Sequence, residues 1–111
     1  MFFAGEFSHA IRKQPLLTEA GLIDNFRVPH PGAAPYEPSE AELRTARAAL
    51  AAVPPPGDLL FARVDLALDG AREPVVMELE LIEPNLFLRI NPQGLKHFVE
   101  AVTAAGRDAT A

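Results

Sequence analysis

The sequence has no cysteine, few basic residues and no long apolar run, and each shortage excludes a class of function. Without cysteine there are no disulfides, thiolate zinc sites or thiol nucleophiles, which favours a reducing, cytoplasmic location. Ten Lys and Arg stand against fifteen Asp and Glu, and among the basic residues only Arg12 and Lys13 are adjacent, so we expect no nucleic-acid partner. The apolar residues 1–4 are followed closely by Glu6, so we expect neither a signal peptide nor a membrane span.

Length and apolar content indicate a single domain. A chain of 111 residues, 49% of them apolar, buries enough surface for one core and little more. A large enclosed cleft between two lobes is therefore excluded. Any cleft is expected to be shallow or shared with other residues.

The first third of the chain divides into a strand region and a loop. Residues 2–14 are apolar and β-prone, which predicts two short strands or one bent strand ending before Pro15. Within this region we interpret His9 as structural rather than as a substrate contact. Residues 15–38 contain five prolines and are predicted to be mostly loop, with a strand at 26–28. Such a long loop is either a substrate-contacting segment or disordered without ligand.

Two helices are predicted from capping signals. Ser39 and Glu42 form a capping box ahead of an alanine-rich helix, which the proline run at 54–56 ends as a rigid turn. Asn91 as N-cap and Pro92 at the first position open a second helix, for which Gly106 is the predicted end. The predicted buried stripes are Leu43, Ala46, Leu50 and Ala51 in the first helix, and Leu95, Phe98, Val99 and Val102 in the second.

A β-hairpin is predicted between these helices. Residues 59–68 and 75–83 both alternate between apolar and polar positions, and Asp69-Gly70 between them is a strong turn signal. Strict alternation in the second strand places Val75 and Met77 on the apolar face and Val76 on the opposite one. Across the turn, Asp65 is expected to lie opposite either Val76 or Glu78, depending on the loop length.

The polar face of this hairpin brings charged side chains together: Arg63, Asp65, Glu78 and Glu80. Three acids at close range repel one another unless a positive group neutralises them, and that group is either Arg63 or a metal ion. One interpretation is a solvated strand face on an acidic protein. The other is a site for magnesium bound to a nucleotide, because Mg²⁺ takes oxygen ligands and usually keeps phosphate in its shell.

Three segments resemble the C-terminal half of the ATP-grasp ligases, in particular the glutathione-synthetase-like and cycloserine-type cyclising ligases. They read Gly-Glu-Phe-Ser-His-Ala-Ile-Arg-Lys at 5–13, Phe-Ala-Arg-Val-Asp at 61–65, and Met-Glu-Leu-Glu-Leu-Ile-Glu-Pro-Asn-Leu-Phe-Leu at 77–88. The resemblance spans residues 2 to about 105. It implies an α+β fold in which helices pack on one face of an antiparallel sheet. It also implies a partial ATP-grasp domain, its C-terminal subdomain, at 1–106 and a frayed tail at 107–111.

The resemblance also implies cofactors and site residues. The cofactors are ATP and Mg²⁺, with Mn²⁺ as an alternative, and Asp65, Glu78 and Glu80 are similar to the metal ligands. Many members of the family have Asn in place of Glu80. Arg12 resembles the catalytic arginine that meets the phosphates, a role suited to a planar and always-charged side chain. Lys13 is the second choice for phosphate binding. Arg63, with Arg12 and Lys13 the third residue expected at the cofactor site, would hold the acids in place.

The implied activity is ATP-dependent ligation of a small carboxylate and an amine, or cyclisation, through an acyl-phosphate. The segments that bind adenine in this family lie upstream of the matched region. We therefore expect the chain to be the C-terminal portion of a longer enzyme, inactive alone, completed by an N-terminal partner segment or by forming a homo-oligomer. The alternatives are a non-catalytic binding or regulatory module with the same half-fold, and a simple divalent-cation binder.

Overall fold

A computed structural model describes residues 1–14, 32–54 and 59–110, which form an antiparallel α+β fold as predicted. The elements in chain order are β1 (Phe2–Phe3), β2 (Glu6–Phe7), β3 (Ala10–Lys13), β4 (Ala33–Tyr36), α1 (Glu40–Ala51), β5 (Phe61–Leu68), β6 (Pro74–Glu80), a 3-10 helix (Leu88–Ile90) and α2 (Pro92–Thr110). One sheet has the order β2-β1-β5-β6, and a second sheet consists of β3 and β4. In the described ranges, no helix is long and apolar enough to cross a membrane.

The N-terminal segment forms three short strands, where the sequence predicts two short strands or one bent strand. The chain turns between β1 and β2 at Ala4 and Gly5, which have positive φ angles of 50° and 81°. This turn lets β1 pair with β2 on one side and with β5 on the other. Phe2 and Phe3 are only 3% and 4% exposed, so this short strand lies in the middle of the core.

The core lies between α1 and the four-stranded sheet. Its centre consists of Phe2, Ala46 and Ala62, and the two alanines allow the helix to approach β5 closely. The predicted capping box is confirmed: the Glu42 backbone N–H donates to Ser39 Oγ at 3.1 Å, and the Ser39 N–H donates to Glu42 Oε1 at 2.9 Å.

Part of the predicted 15–38 loop is a strand. Within it, β4 pairs antiparallel with β3, with Arg12 opposite Ala34 and Ile11 opposite Pro35. In a two-stranded sheet both strands are edges, so the missing N–H of Pro35 can face away from the partner strand. The loop prediction is therefore wrong at 33–36. The predicted strand at 26–28 and most of the proline run lie outside the described residues.

The predicted hairpin is confirmed as β5 and β6, but its turn and its alternation differ from the expectation. The connection is five residues long, at 69–73, and the Asp69 carboxylate accepts hydrogen bonds from the backbone N–H groups of Ala71 and Glu73, both at 2.9 Å. A β-bulge follows Asp65, so Glu78 pairs with Asp65 while Val76 pairs with Leu66. The extra residue, Met77, inverts the side-chain alternation, so the predicted faces of Val75 and Val76 are wrong.

The predicted start of α2 is confirmed, whereas its predicted end and buried stripe are not. Asn91 caps the helix by accepting a hydrogen bond from Gly94 N–H at 2.9 Å. The helix continues through Gly106 to Thr110, because a glycine inside a helix is tolerated when its neighbours favour helix. The domain division at 106 and the fraying of the tail stay predictions.

Only one residue of the predicted α2 stripe packs inward. Phe98 is half-buried and lies with its ring centroid 5.4 Å from that of Phe3 on β1. Leu95, Val99 and Val102 are 48%, 54% and 43% exposed, so the prediction that they are buried is wrong. Among the described residues α2 packs mainly against the 3-10 helix and β1, which leaves the rest of this face exposed.

Candidate functional site

The register of the hairpin gathers the predicted acidic side chains on one face. Asp65 lies opposite Glu78, and Arg63 lies opposite Glu80. All four side chains therefore point to the same side of the sheet, as the sequence predicts. We call these four residues the carboxylate cluster.

Arg63 lies at the centre of the carboxylate cluster. Its Nε and Nη2 donate to the two carboxylate oxygens of Asp65, at 2.8 and 3.0 Å. Nη2 also lies 3.2 Å from Glu80 Oε2 and 3.9 Å from Glu78 Oε2. Nη1 donates to the backbone carbonyl oxygen of Asn85 at 3.1 Å. The guanidinium group thus contacts all three acids and one loop carbonyl at once.

The electrostatics of the cluster keep Arg63 charged. Its side chain is only 12% exposed. Burial lowers the pKa of Arg63. The hydrogen bond and charge of Asp65, together with the charges of Glu80 and Glu78, raise this pKa by more than burial lowers it, so the net shift is upward. The guanidinium is therefore a permanent cation facing three carboxyl groups.

Glu78 is the acid that this single cation neutralises least. The pKa of Glu78 is raised above its ordinary value, mainly by the hydrogen bond and the negative charge of Glu80, with smaller contributions from burial and from Asp65. Arg63 opposes the shift without cancelling it. Neighbouring negative charges disfavour ionisation, so an additional cation near Glu78 would relieve this repulsion.

The three predicted metal ligands are brought together, but around Arg63. Within the described ranges, no group of three or more His, Asp or Glu side chains has the geometry to hold a metal ion. Both oxygens of Asp65 face the guanidinium, while the Glu78 side chain is 54% exposed. Carboxylate oxygens are nevertheless the donors that Mg²⁺ prefers, so the donor set fits the ion chemically. The metal-ligand role of Asp65, Glu78 and Glu80 stays a prediction.

A groove of about 740 Å³ runs past the cluster. Lys13 lines it, and its Nζ lies 6.0 Å from the centre of the Phe87 ring. The Arg63 Cζ lies 5.8 Å from the same ring, so Phe87 is flanked by two cations. Lys13, the second choice in the sequence, is thus the basic residue of β3 that lies near the cluster.

Arg12 has a different environment from Lys13. Successive side chains of a strand point to opposite faces, so Arg12 and Lys13 diverge. The charge of Arg12 acts on Tyr36 and Glu42, whose side chains are joined by a hydrogen bond from Tyr36 Oη to Glu42 Oε1 at 2.8 Å. Burial raises the pKa of Glu42, but its bonds with Ser39 and Tyr36 and the charge of Arg12 lower it overall. The catalytic role of Arg12 stays a prediction.

Sequence reasoning missed the contribution of the segment at 85–87. The Asn85 carbonyl oxygen holds Arg63, and Phe87 contacts both cations. Phe87 has a φ of 53°, and its N–H donates to Asn85 Oδ1 at 2.9 Å. Asn after Pro84 is a turn signal, but nothing local in the sequence shows where that turn aims the Phe87 ring.

Comparisons with known proteins agree with this architecture. No family model matches the chain. The cycloserine biosynthesis protein DcsG of Streptomyces lavendulae is 36% identical over 109 residues, covering 91% of this chain and 34% of that protein. The crystal structure of D-cycloserine synthetase DcsG matches with a TM-score of 0.80 and 31% identity, over 94% of this chain and 36% of that one. The chain is therefore homologous, by sequence and by structure, to D-cycloserine synthetase DcsG, and it spans about a third of that relative's length.

Proposed function

We propose that this chain is the metal- and phosphate-binding portion of an ATP-dependent carboxylate–amine or cyclising ligase. The observation that carries the proposal is the carboxylate cluster, which lines a groove that also contains Lys13, in a chain homologous to DcsG. Three acids around one arginine leave a net negative charge that a metal ion can balance. Lys13 in the groove supplies a cation that can bind the phosphate groups of a nucleotide.

In this proposal the acids hold magnesium and the basic residues hold phosphate. Asp65, Glu78 and Glu80 are the ligands, and Mg²⁺ supplies charge neutralisation at the phosphate oxygens when it is bound. Lys13 binds the phosphates from the groove, and Arg63 keeps the acids oriented through the bonds described above. Arg12, exposed on β3, is the proposed catalytic arginine, because a guanidinium fork matches a phosphoryl group in charge and geometry.

The proposed reaction has two steps. A substrate carboxylate oxygen attacks the γ-phosphorus of ATP, forming one P–O bond while the bond to the ADP oxygen breaks and ADP leaves. An amine nitrogen then attacks the acyl carbon, phosphate leaves, and the nitrogen loses a proton to solvent. Neither step needs a covalent enzyme nucleophile, in accordance with the absence of cysteine.

One observation favours a second candidate, a non-catalytic binding module. Both oxygens of Asp65 are bonded to Arg63, an arrangement that is complete without a metal ion. A module of this kind would keep the fold and the groove but bind neither magnesium nor nucleotide at the cluster.

Calorimetric titration of the chain separates these functions. The proposed function requires that ATP binds in the presence of Mg²⁺ and not in its absence. Binding of Mg²⁺ alone, with no effect of ATP, would indicate a simple cation binder, and no binding of either would indicate the module. The matched variants are Glu78→Gln combined with Glu80→Gln in the cluster, which should abolish the binding, and Glu73→Gln in the hairpin loop, which should not change it.

A further inference from the structure

A second polar cluster lies away from the groove, and the proposed function does not use it. It consists of Ser8, His9 and His97, which we call the histidine junction. Ser8 Oγ lies 2.8 Å from Nδ1 of each of the two histidines. His9 Nε2 lies 2.7 Å from the backbone carbonyl oxygen of Leu86, and His9 is only 3% exposed.

The partners fix where each proton lies. A carbonyl oxygen only accepts, so His9 Nε2 carries the proton and donates to Leu86. In a neutral ring His9 Nδ1 then accepts from the Ser8 hydroxyl, and Ser8 Oγ in turn accepts from His97 Nδ1–H. Burial is the main cause that lowers the pKa of His9, and the net downward shift favours this neutral form.

Packing fixes the position of the His9 ring as firmly as its hydrogen bonds do. A Cβ atom on Gly94 would lie 2.5 Å from His9 Nδ1, so only glycine allows the first turn of α2 to rest against the ring. The Phe3 ring lies on another side of His9, with the centroids 5.9 Å apart. The junction therefore locks β1, the start of β3 and the start of α2 around one imidazole.

The His9 imidazole binds Leu86, the middle residue of the segment at 85–87, whose last residue, Phe87, lines the groove. Leu86 is bonded to His9, while the carbonyl of Asn85 before it holds Arg63 and the ring of Phe87 after it contacts Lys13 and Arg63. A shift at Leu86 would move both contacts together, because they are one residue away on either side.

We propose that His9 is a positioning residue, which sets the Asn85–Phe87 contacts to Arg63 and Lys13 through its bond to the Leu86 carbonyl. The Leu86 carbonyl itself sets the His9 tautomer, and Ser8, bonded in turn to His97, holds the other edge of the ring. The effect on nucleotide binding rests on the proposed function, whereas the tautomers and the placement of Arg63 do not.

The first test reads the tautomers in the 111-residue chain without ligand. Long-range ¹H–¹⁵N spectra at neutral pH should show His9 protonated at Nε2 and His97 protonated at Nδ1, the rarer form in solution. Ser8→Ala should return His97 to the common Nε2 form and leave His9 unchanged, while Thr103→Ala on α2 should alter neither. His97 in the Nε2 form in the unmodified chain would overturn the junction.

The second test separates the two nitrogens of His9. His9→Gln places an amide N–H where Nε2 stands and keeps the bond to Leu86, whereas His9→Asn is too short to reach it. The Arg63 Nε–H resonance, read without nucleotide, should persist in the Gln variant and shift or broaden in the Asn variant. If the unmodified chain binds ATP with Mg²⁺, the affinity for ATP should fall about tenfold in His9→Asn and much less in His9→Gln.

The outcomes distinguish this inference from the proposed function. Equal changes of the Arg63 resonance in two folded variants would overturn the positioning role. If the unmodified chain does not bind Mg²⁺ and ATP, the proposed function fails, and the Arg63 resonance still decides the role of His9. If neither variant folds, the tautomer spectra of the unmodified chain and of Ser8→Ala decide it.

Discussion

Arg63 and Asp65, two residues apart on the same face of β5, form a two-point ion pair with N···O distances of 2.8 and 3.0 Å. One strand, β5, therefore supplies both the cation and one acid of the carboxylate cluster. β6 then adds two glutamates that Arg63 must also neutralise. The cluster is therefore held by one residue, a single cation that faces three acids.

Removing the cation should destabilise the fold most near neutral pH. In Arg63→Met the acids lose their common partner, and we expect a loss of about 2 kcal/mol in the free energy of unfolding at pH 7. The loss should shrink below pH 4, where the acids are protonated. Urea unfolding at both pH values measures it, with Arg44→Met on the exposed side of α1 as control, expected within about 0.5 kcal/mol of the unmodified chain. Equal losses at both pH values would contradict the electrostatic explanation.

Glu78 should oppose folding as the pH rises. Its pKa is raised in the folded state, mainly by Glu80, so the folded chain binds this proton more tightly than the unfolded chain. Stability from this group is present below its ordinary pKa of 4.5 and is lost as the pH rises through the higher folded value. Glu78→Gln should therefore raise the melting temperature at pH 7 and leave it unchanged near pH 3. A lower melting temperature at pH 7 would mean that Arg63 already compensates Glu78 fully.

His9 should give the opposite pH dependence. Its pKa is lowered, chiefly by burial, while the bond to Leu86 opposes the shift and the charges of the Met1 amino group and His97 add to it. The unfolded chain then binds this proton more tightly, so stability is present above pH 6.5 and is lost as the pH falls through the lower folded value. Comparing denaturant unfolding of the unmodified chain and His9→Gln from pH 7.5 to 5 measures this. An identical pH dependence in both would rule it out.

Gly94 and Gly106 offer a matched pair of substitutions in one helix. Gly94→Ala forces a methyl group against the His9 ring and should destabilise the fold by about 2 to 4 kcal/mol. In Gly106→Ala the added methyl group has no atom within 4 Å. This substitution should stabilise the fold by up to about 1 kcal/mol, because alanine favours helix more than glycine does. Thermal unfolding of the two variants measures both signs. A tolerated Gly94→Ala would show that the start of α2 is not seated on His9.

The features that the sequence predicts correctly depend on local patterns. The capping box at Ser39 and the Asn91 cap need only neighbouring residues, and the acidic hairpin face needs only period-two alternation on β5 and near Glu78. The segments at 5–13, 61–65 and 77–88 also carry the resemblance to cycloserine-type ligases, in agreement with the homology to DcsG.

The features that the sequence does not predict depend on distant partners. β4 is a strand only because β3, which ends twenty residues earlier at Lys13, lies beside it, and Pro35 argues against a strand locally. The bulge at Met77 depends on how β6 aligns with β5. The direction of the Phe87 ring depends on the left-handed backbone conformation of that residue. Leu95 and Val99 have a helical apolar pattern that predicts burial, but in the described residues little lies against that face.

The central claim is that the carboxylate cluster binds a divalent cation together with a nucleotide. The most direct test replaces Mg²⁺ with Mn²⁺ and records which backbone resonances its unpaired electrons broaden. We predict broadening centred on Asp65, Glu78 and Glu80 that strengthens when ATP is added and disappears in Glu78→Gln combined with Glu80→Gln. Broadening that is spread over other acidic residues, or that ATP leaves unchanged, would contradict the claim.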